Sequence, residues 1–104
     1  MKQTTKETFQ TDVIEAEGVT VLYFSAPWCG PCKALGPIME QIDAEMDAVS
    51  VVKVDVDEQP ELAEAYQITS IPVLKIIVGG ESQKTIIGAK PKPAIEAELA
   101  NYLP

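Results

Sequence analysis

The sequence predicts an α/β fold, a mixed β-sheet with helices on both faces, and three observations carry that prediction. Apolar, β-branched and aromatic runs alternate with stretches of helical periodicity. Gly79-Gly80 separates two of the later runs, which reads as a hairpin. The order strand–helix–strand, then hairpin, then helix, places parallel and antiparallel pairs in one sheet.

Each element has its own warrant. Thr8–Ala16 reads as a first helix, with Gly18 past its end as a stop. Val19–Ser25 is continuously apolar and β-branched, the pattern of a buried strand. Cys32–Met46 reads as a helix that aligns Ile38, Ile42 and Met46; Pro37 inside it removes one hydrogen bond and crowds the preceding turn. Ser50–Val56 alternates, with Val52, Val54 and Val56 on one side and Val51, Lys53 and Asp55 on the other. Pro60 suits the first turn of a short helix through Tyr66. Val73–Val78 and Gln83–Ile87 are the hairpin strands. Pro91 and Pro93 fit only the opening turn of a last helix, which runs to about Leu103 and aligns Ile95, Leu99 and Leu103.

Length and composition narrow the function. The 104 residues suffice for one domain with a real core, so a single domain over 1–104 is expected. Sixteen acidic residues against eight basic ones leave a formal net charge of −8, and every basic residue is Lys. Without Arg or a basic patch, no nucleic-acid partner is expected. The absence of His removes Cys–His and Ser–His–Asp catalysis. A zinc site needs about four ligands and finds two thiols, so no metal or other cofactor is expected. The start, Met1 to Glu7, is polar and lacks the apolar core of a signal peptide, and no apolar run approaches membrane-spanning length. The expectation is a cytoplasmic monomer without a membrane partner, in a compartment where a lone Cys-x-x-Cys is more often redox-active than a structural staple.

That motif, Trp28-Cys29-Gly30-Pro31-Cys32-Lys33, holds both cysteines and lies between a strand and a helix. Positions three apart in a helix share a face, so the two sulfurs can bond. Pro31 fixes φ in a turn where its missing N–H would be unpaired anyway, and Gly30 lets a partner's backbone approach. Cys29, at the helix start, faces orphan N–H groups and the positive end of the helix dipole, which favour thiolate. Cys29 is therefore the expected nucleophile, attacking a disulfide to form a mixed disulfide. Cys32, one turn in and more buried, is expected to attack Cys29 and release the reduced substrate. A separate reductase must restore the dithiol, because the chain has no room for a flavin or nicotinamide domain. The bland alternative, an inert buried pair, fits poorly with a strand-to-helix junction. Asp55 and Asp57 read as a solvated strand end rather than a metal pair.

The element order and the segments Phe24 to Lys33, Pro37, Lys53, Ile71-Pro72 and Gly88-Ala89 resemble the thioredoxin family over nearly the whole chain. The resemblance implies the thioredoxin fold, a mixed central sheet of about five strands flanked by about four helices. It implies a cis Ile71–Pro72 bond facing the disulfide. It implies a substrate-docking rim of Trp28, Gly30, Pro31, Val56, Ile71, Pro72, Ile87, Gly88 and Ala89 around the catalytic Cys29 and Cys32. The implied activity is protein-disulfide reduction, with protein disulfides as substrates and a thioredoxin reductase as electron donor.

The sequence departs from the family at Tyr23, where thioredoxins usually carry a buried Asp paired with the lysine matching Lys53. A phenol is not a base at neutral pH. Tyr23 and Lys53 are thus candidate modulating residues, with Lys53 expected to be neutral, solvated, or bonded to the Tyr23 oxygen or to Asp55. Ser70 stands where the family often has Gly. Two other readings carry less: a thioredoxin-fold binding module with incidental redox activity, and a disulfide-forming oxidant, which Gly30-Pro31 between the cysteines opposes.

Overall fold

A computed structural model describes residues 1–104 in full. The strands are β1 (Lys2–Gln3), β2 (Val19–Ser25), β3 (Val49–Asp55), β4 (Val73–Val78) and β5 (Glu81–Ile87). The α-helices are α1 (Gly30–Glu45), α2 (Pro60–Ala65) and α3 (Lys92–Ala100), and a π-helical turn spans Gln10–Ile14. The five strands form one sheet in the order β1-β3-β2-β4-β5. β1 and β2 run parallel to β3, while β4 runs antiparallel to β2 and to β5.

Alternation along the strands makes two cores. Val19, Val21 and Tyr23 of β2 face the same side as Val49 and Val51 of β3 and Leu74 and Ile76 of β4, where α1 adds Leu35, Met39 and Ile42 and α3 adds Ile95 and Leu99. Leu22, Phe24, Val52, Val54, Val73 and Ile77 face the other way, against Val13 of the π-turn and Leu62 of α2. β2 is buried along its whole length, which explains why it reads as a continuous apolar run rather than an alternation.

The structure corrects several sequence boundaries. The expected helix Thr8–Ala16 is only the turn at Gln10–Ile14, where Glu15 N–H bonds Gln10 C=O, five residues back. Thr8, Thr11, Val13 and Ile14 are weak helix formers, and Thr8 spends its hydroxyl on Thr4 and Thr5. β1 pairs Lys2 with Val52 and Gln3 with Lys53, a two-residue strand that no local pattern announces. Its shortness leaves Val51 N–H outside that ladder, and Asp43 Oδ1 on α1 accepts it at 2.8 Å. β3 is displaced one residue from the expected Ser50–Val56, because the Asp55 carboxylate turns the chain by accepting the N–H groups of Asp57 and Glu58 at 2.9 and 3.2 Å. α1 starts at Gly30, before the expected Cys32, and α3 ends before the expected Leu103.

The sheet order gathers one set of loops. The C-terminal ends of the parallel strands β2 and β3 lie beside the start of β4 and, through the Val73–Ile87 pair, the end of β5. Four distant sequence segments therefore meet at one end of the sheet, where the cysteines lie.

Candidate active site

Cys29 is the N-cap residue of α1, in extended conformation with φ −85° and ψ 112°. Ala26 C=O anchors its N–H at 3.2 Å, so the chain leaves β2 in a tight turn and enters the helix without a linker. Cys29 Sγ accepts the N–H of Cys32 at 3.2 Å, satisfying one of the donors that a helix start leaves unpaired. Pro31 sits in the first turn, where its lack of an N–H costs nothing. Cys29 and Cys32 form a disulfide with their Cα atoms 5.2 Å apart.

Both cysteines are nearly closed off: Cys29 is 5% exposed and Cys32 3%. The sequence expects Cys32 to be the more buried, and it is so by a small margin. What separates them is surroundings. The Cys29 sulfur takes the helix-start N–H, whereas Cys32 is tied to β2 through its carbonyl, which accepts the Tyr23 hydroxyl.

The rim residues expected from the sequence lie around this turn with very different exposure. Trp28 and Ile87 are the large exposed apolar side chains, 67% and 62%. Gly30, Pro31 and Ala89 are exposed, Val56, Ile71 and Gly88 half-buried, and Pro72 buried. The Ile71–Pro72 bond is cis, and Pro72 C=O accepts Gly88 N–H at 3.0 Å, tying two rim segments together. Gly88 has φ +89°, a conformation L side chains rarely adopt. Gly30 differs: its φ is ordinary and an added Cβ would meet nothing within 4 Å, so the fold itself does not demand glycine there.

Trp28, Val56, Ala63, Ile68, Thr69, Ser70 and Ile71 line a mostly apolar groove of about 320 Å³ beside the disulfide. Ala63, Ile68 and Thr69 were not expected from the sequence, because they come from α2 and the loop after it. Asp57, which by sequence reads as part of a solvated strand end, has a specific partner here. It accepts the Trp28 indole N–H through Oδ2 at 2.7 Å and so holds an exposed ring in one place. Neither Asp55 nor Asp57 belongs to a metal-ligating cluster. A second groove of about 420 Å³ lies between β5 and α3, away from the cysteines except at Ile87.

Beneath the disulfide, Tyr23 is 1% exposed and its hydroxyl donates to Cys32 C=O at 2.7 Å. Burial raises the phenol above its ordinary value, with the nearby Ser25 hydroxyl offsetting part of the rise. Ser25 Oγ reaches no partner in hydrogen-bond geometry and is a buried orphan. Lys53, opposite Tyr23 in the β2–β3 register, is half-buried. The two bonded arrangements expected for it are not found, since the Tyr23 hydroxyl goes to Cys32 and the Asp55 carboxylate to the turn it caps.

A family model described as Thioredoxin matches residues 1–101. The chain is 48% identical over 87 residues to the thioredoxin of Bacillus subtilis (strain 168), covering 83% of each chain. It is 41% identical over 95 residues to the thioredoxin of Streptomyces clavuligerus, covering 91% of this chain and 89% of that one. A Mycobacterium leprae protein named bifunctional thioredoxin reductase/thioredoxin is 38% identical over 103 residues, 98% of this chain and 22% of that one. Among solved structures, a mutant thioredoxin from Halobacterium salinarum NRC-1 superposes with a TM-score of 0.91 at 31% identity, over 99% of this chain and 90% of that one.

Proposed function

From the premise that this chain belongs to the thioredoxin family, we propose how its residues divide the work of disulfide reduction. The chain is a thiol–disulfide oxidoreductase that reduces protein disulfides through the Cys29–Cys32 couple. In the proposed division Cys29 attacks and Cys32 resolves. The observation that carries it is the Cys29 sulfur at the N-cap of α1, accepting Cys32 N–H at 3.2 Å, where a negative sulfur is stabilised.

The reaction starts from the reduced protein. Cys29 thiolate attacks one sulfur of the substrate disulfide; a Cys29–substrate bond forms and the other substrate sulfur leaves as thiolate. Cys32 sulfur then attacks Cys29 sulfur and loses its proton to solvent. The Cys29–substrate bond breaks, its electron pair leaves with the substrate sulfur, and the protein is left oxidised. Trp28, Gly30, Pro31, Val56, Ile71, Pro72, Ile87, Gly88 and Ala89 form the docking surface. Open space at Gly30 and the exposed Trp28 and Ile87 support that role. Tyr23 and Lys53 modulate the resolving step from below.

The family implies disulfide substrates and a reductase as electron donor. The Mycobacterium leprae relative, whose name joins the two activities in one chain, supports a thioredoxin reductase as that donor. The rest of the reading is one domain over 1–104, a monomer of the cytoplasm, with no nucleic-acid or membrane partner. No helix is long and apolar enough to cross a membrane. A binding module with incidental redox activity is not favoured, because the redox couple is intact.

Turnover of insulin disulfides tests the reading, first with dithiothreitol as donor and then with NADPH and a thioredoxin reductase. The expected result is precipitation of reduced insulin well above the thiol background with either donor. A rate at the background with both would overturn it.

A further inference from the structure

Cys32 is held from both sides of its peptide. Its N–H points at Cys29 Sγ at 3.2 Å, and its C=O receives the Tyr23 hydroxyl at 2.7 Å. The second tie comes from a different element, the fully buried strand β2, through a ring packed among the core residues of α1 and α3. It also falls one residue before a gap in the hydrogen bonding of α1. Pro37 has no N–H to give, so the carbonyl of Lys33, next to that of Cys32, has no partner four residues on. Tyr23 adds a donor from outside the helix to the neighbouring carbonyl, that of Cys32. Its neighbours do not draw the hydroxyl away: no hydrogen bond joins it to Lys53, and Ser25 Oγ closes no bond.

The two ties differ in what happens to them during turnover. The Cys32 N–H contact ends on Cys29 Sγ, the atom that bonds the substrate. The Tyr23 contact involves neither sulfur. We propose that Tyr23 is a positioning residue for the resolving step: it clamps the Cys32 carbonyl to β2 and so keeps Cys32 Sγ within reach of Cys29 Sγ while Cys29 is bonded to substrate. The inference rests on Cys29 as attacker and Cys32 as resolver. In the resolving step the Cys32–Cys29 bond forms, the Cys29–substrate bond breaks with its electron pair on the substrate sulfur, and the Cys32 proton passes to water. Tyr23 exchanges no proton; its own stays on the bond to the carbonyl.

Tyr23→Phe keeps the ring and removes only the hydroxyl. Reduced protein is mixed with a dye-labelled peptide disulfide and acid-quenched at intervals, so that formation and decay of the Cys29 adduct are read separately. Formation should stay within about twofold of the unaltered protein, and decay should slow about tenfold, as a small misplacement of a reacting group does. The slowing should be the same factor at each pH between about 6 and 8, since a clamp changes geometry and not a proton. Equal decay rates would overturn the proposal. So would an altered pH slope, which would assign the phenol a proton-transfer role, or an equal slowing of both steps, which would mean that the whole first turn is disturbed. A lower urea midpoint with unchanged decay would likewise reduce Tyr23 to a packing residue. Cys32→Ser in the same assay isolates the underlying assignment: if it accumulates no Cys29 adduct, that assignment fails whatever Tyr23→Phe does.

Discussion

The rim above the disulfide and the floor beneath it differ in almost every physical respect. On the rim, Trp28 and Ile87 stand 67% and 62% exposed, and Gly30 faces open space. In the floor, Tyr23, Leu35 and Met39 are at most 1% exposed. The rim is assembled from loops of four segments and fastened by a few specific bonds, such as Trp28 to Asp57 and Gly88 to Pro72. The floor belongs to continuous strands and helices. Docking apolar surface requires exposure, which costs stability, while holding a resolving sulfur requires rigidity, which needs burial. In the proposed division of roles the two cysteines, three residues apart, stand at the boundary, so one disulfide would serve both requirements.

Substitutions on the two sides should therefore separate stability from docking. Leu35→Ala removes a fully buried side chain one turn beyond Cys32 and should cost about 2–5 kcal/mol of unfolding free energy. Urea denaturation measures it, and KM for the variant that remains folded should be little changed. Trp28→Ala should do the reverse, raising KM for a protein disulfide about tenfold, the order expected for an anchoring aromatic, with a much smaller shift in urea midpoint. A large stability loss at Trp28 would erase the distinction between rim and floor.

A smaller effect is expected at Asp43, which lies far from the cysteines and serves the fold alone. Burial raises its carboxyl pKa, but the Val51 N–H and the N-terminal ammonium outweigh this and leave it below the ordinary value. A carboxylate depressed in the folded state stabilises at pH above its unfolded value near ~3.9, and that contribution fades as pH falls through the lower folded value. Asp43→Ala should thus lower stability by about 1–2 kcal/mol at neutral pH, leaving a buried N–H unpaired. The charge-dependent part of the loss should shrink below about pH 4. Urea midpoints across pH check this, and turnover of insulin should not change.

Most of the frame was legible because it is encoded locally. Val19–Ser25 announces a buried strand by its residues alone, and Trp28 to Lys33 announces a redox turn by composition and position. What the sequence hid depends on distances between remote segments. β1 exists only because Lys2 and Gln3 find β3. The apolar spacing of Phe9 and Val13 is the same for an α-helix as for the wider turn that forms, so the pattern could not separate them. Asp57 reads as a surface acid until the fold brings it under Trp28. Tyr23 was visible as a departure from the family, but not its partner. The phenol serves a backbone carbonyl, and backbone acceptors leave no mark in a sequence.

The division of roles between the two cysteines is tested most directly by trapping. Cys29→Ser and Cys32→Ser are each mixed with a protein disulfide, acid-quenched and examined by intact mass. The account predicts a covalent adduct of one substrate chain on Cys29 in Cys32→Ser, and none in Cys29→Ser. An adduct on Cys32 in Cys29→Ser, with none in Cys32→Ser, would contradict it.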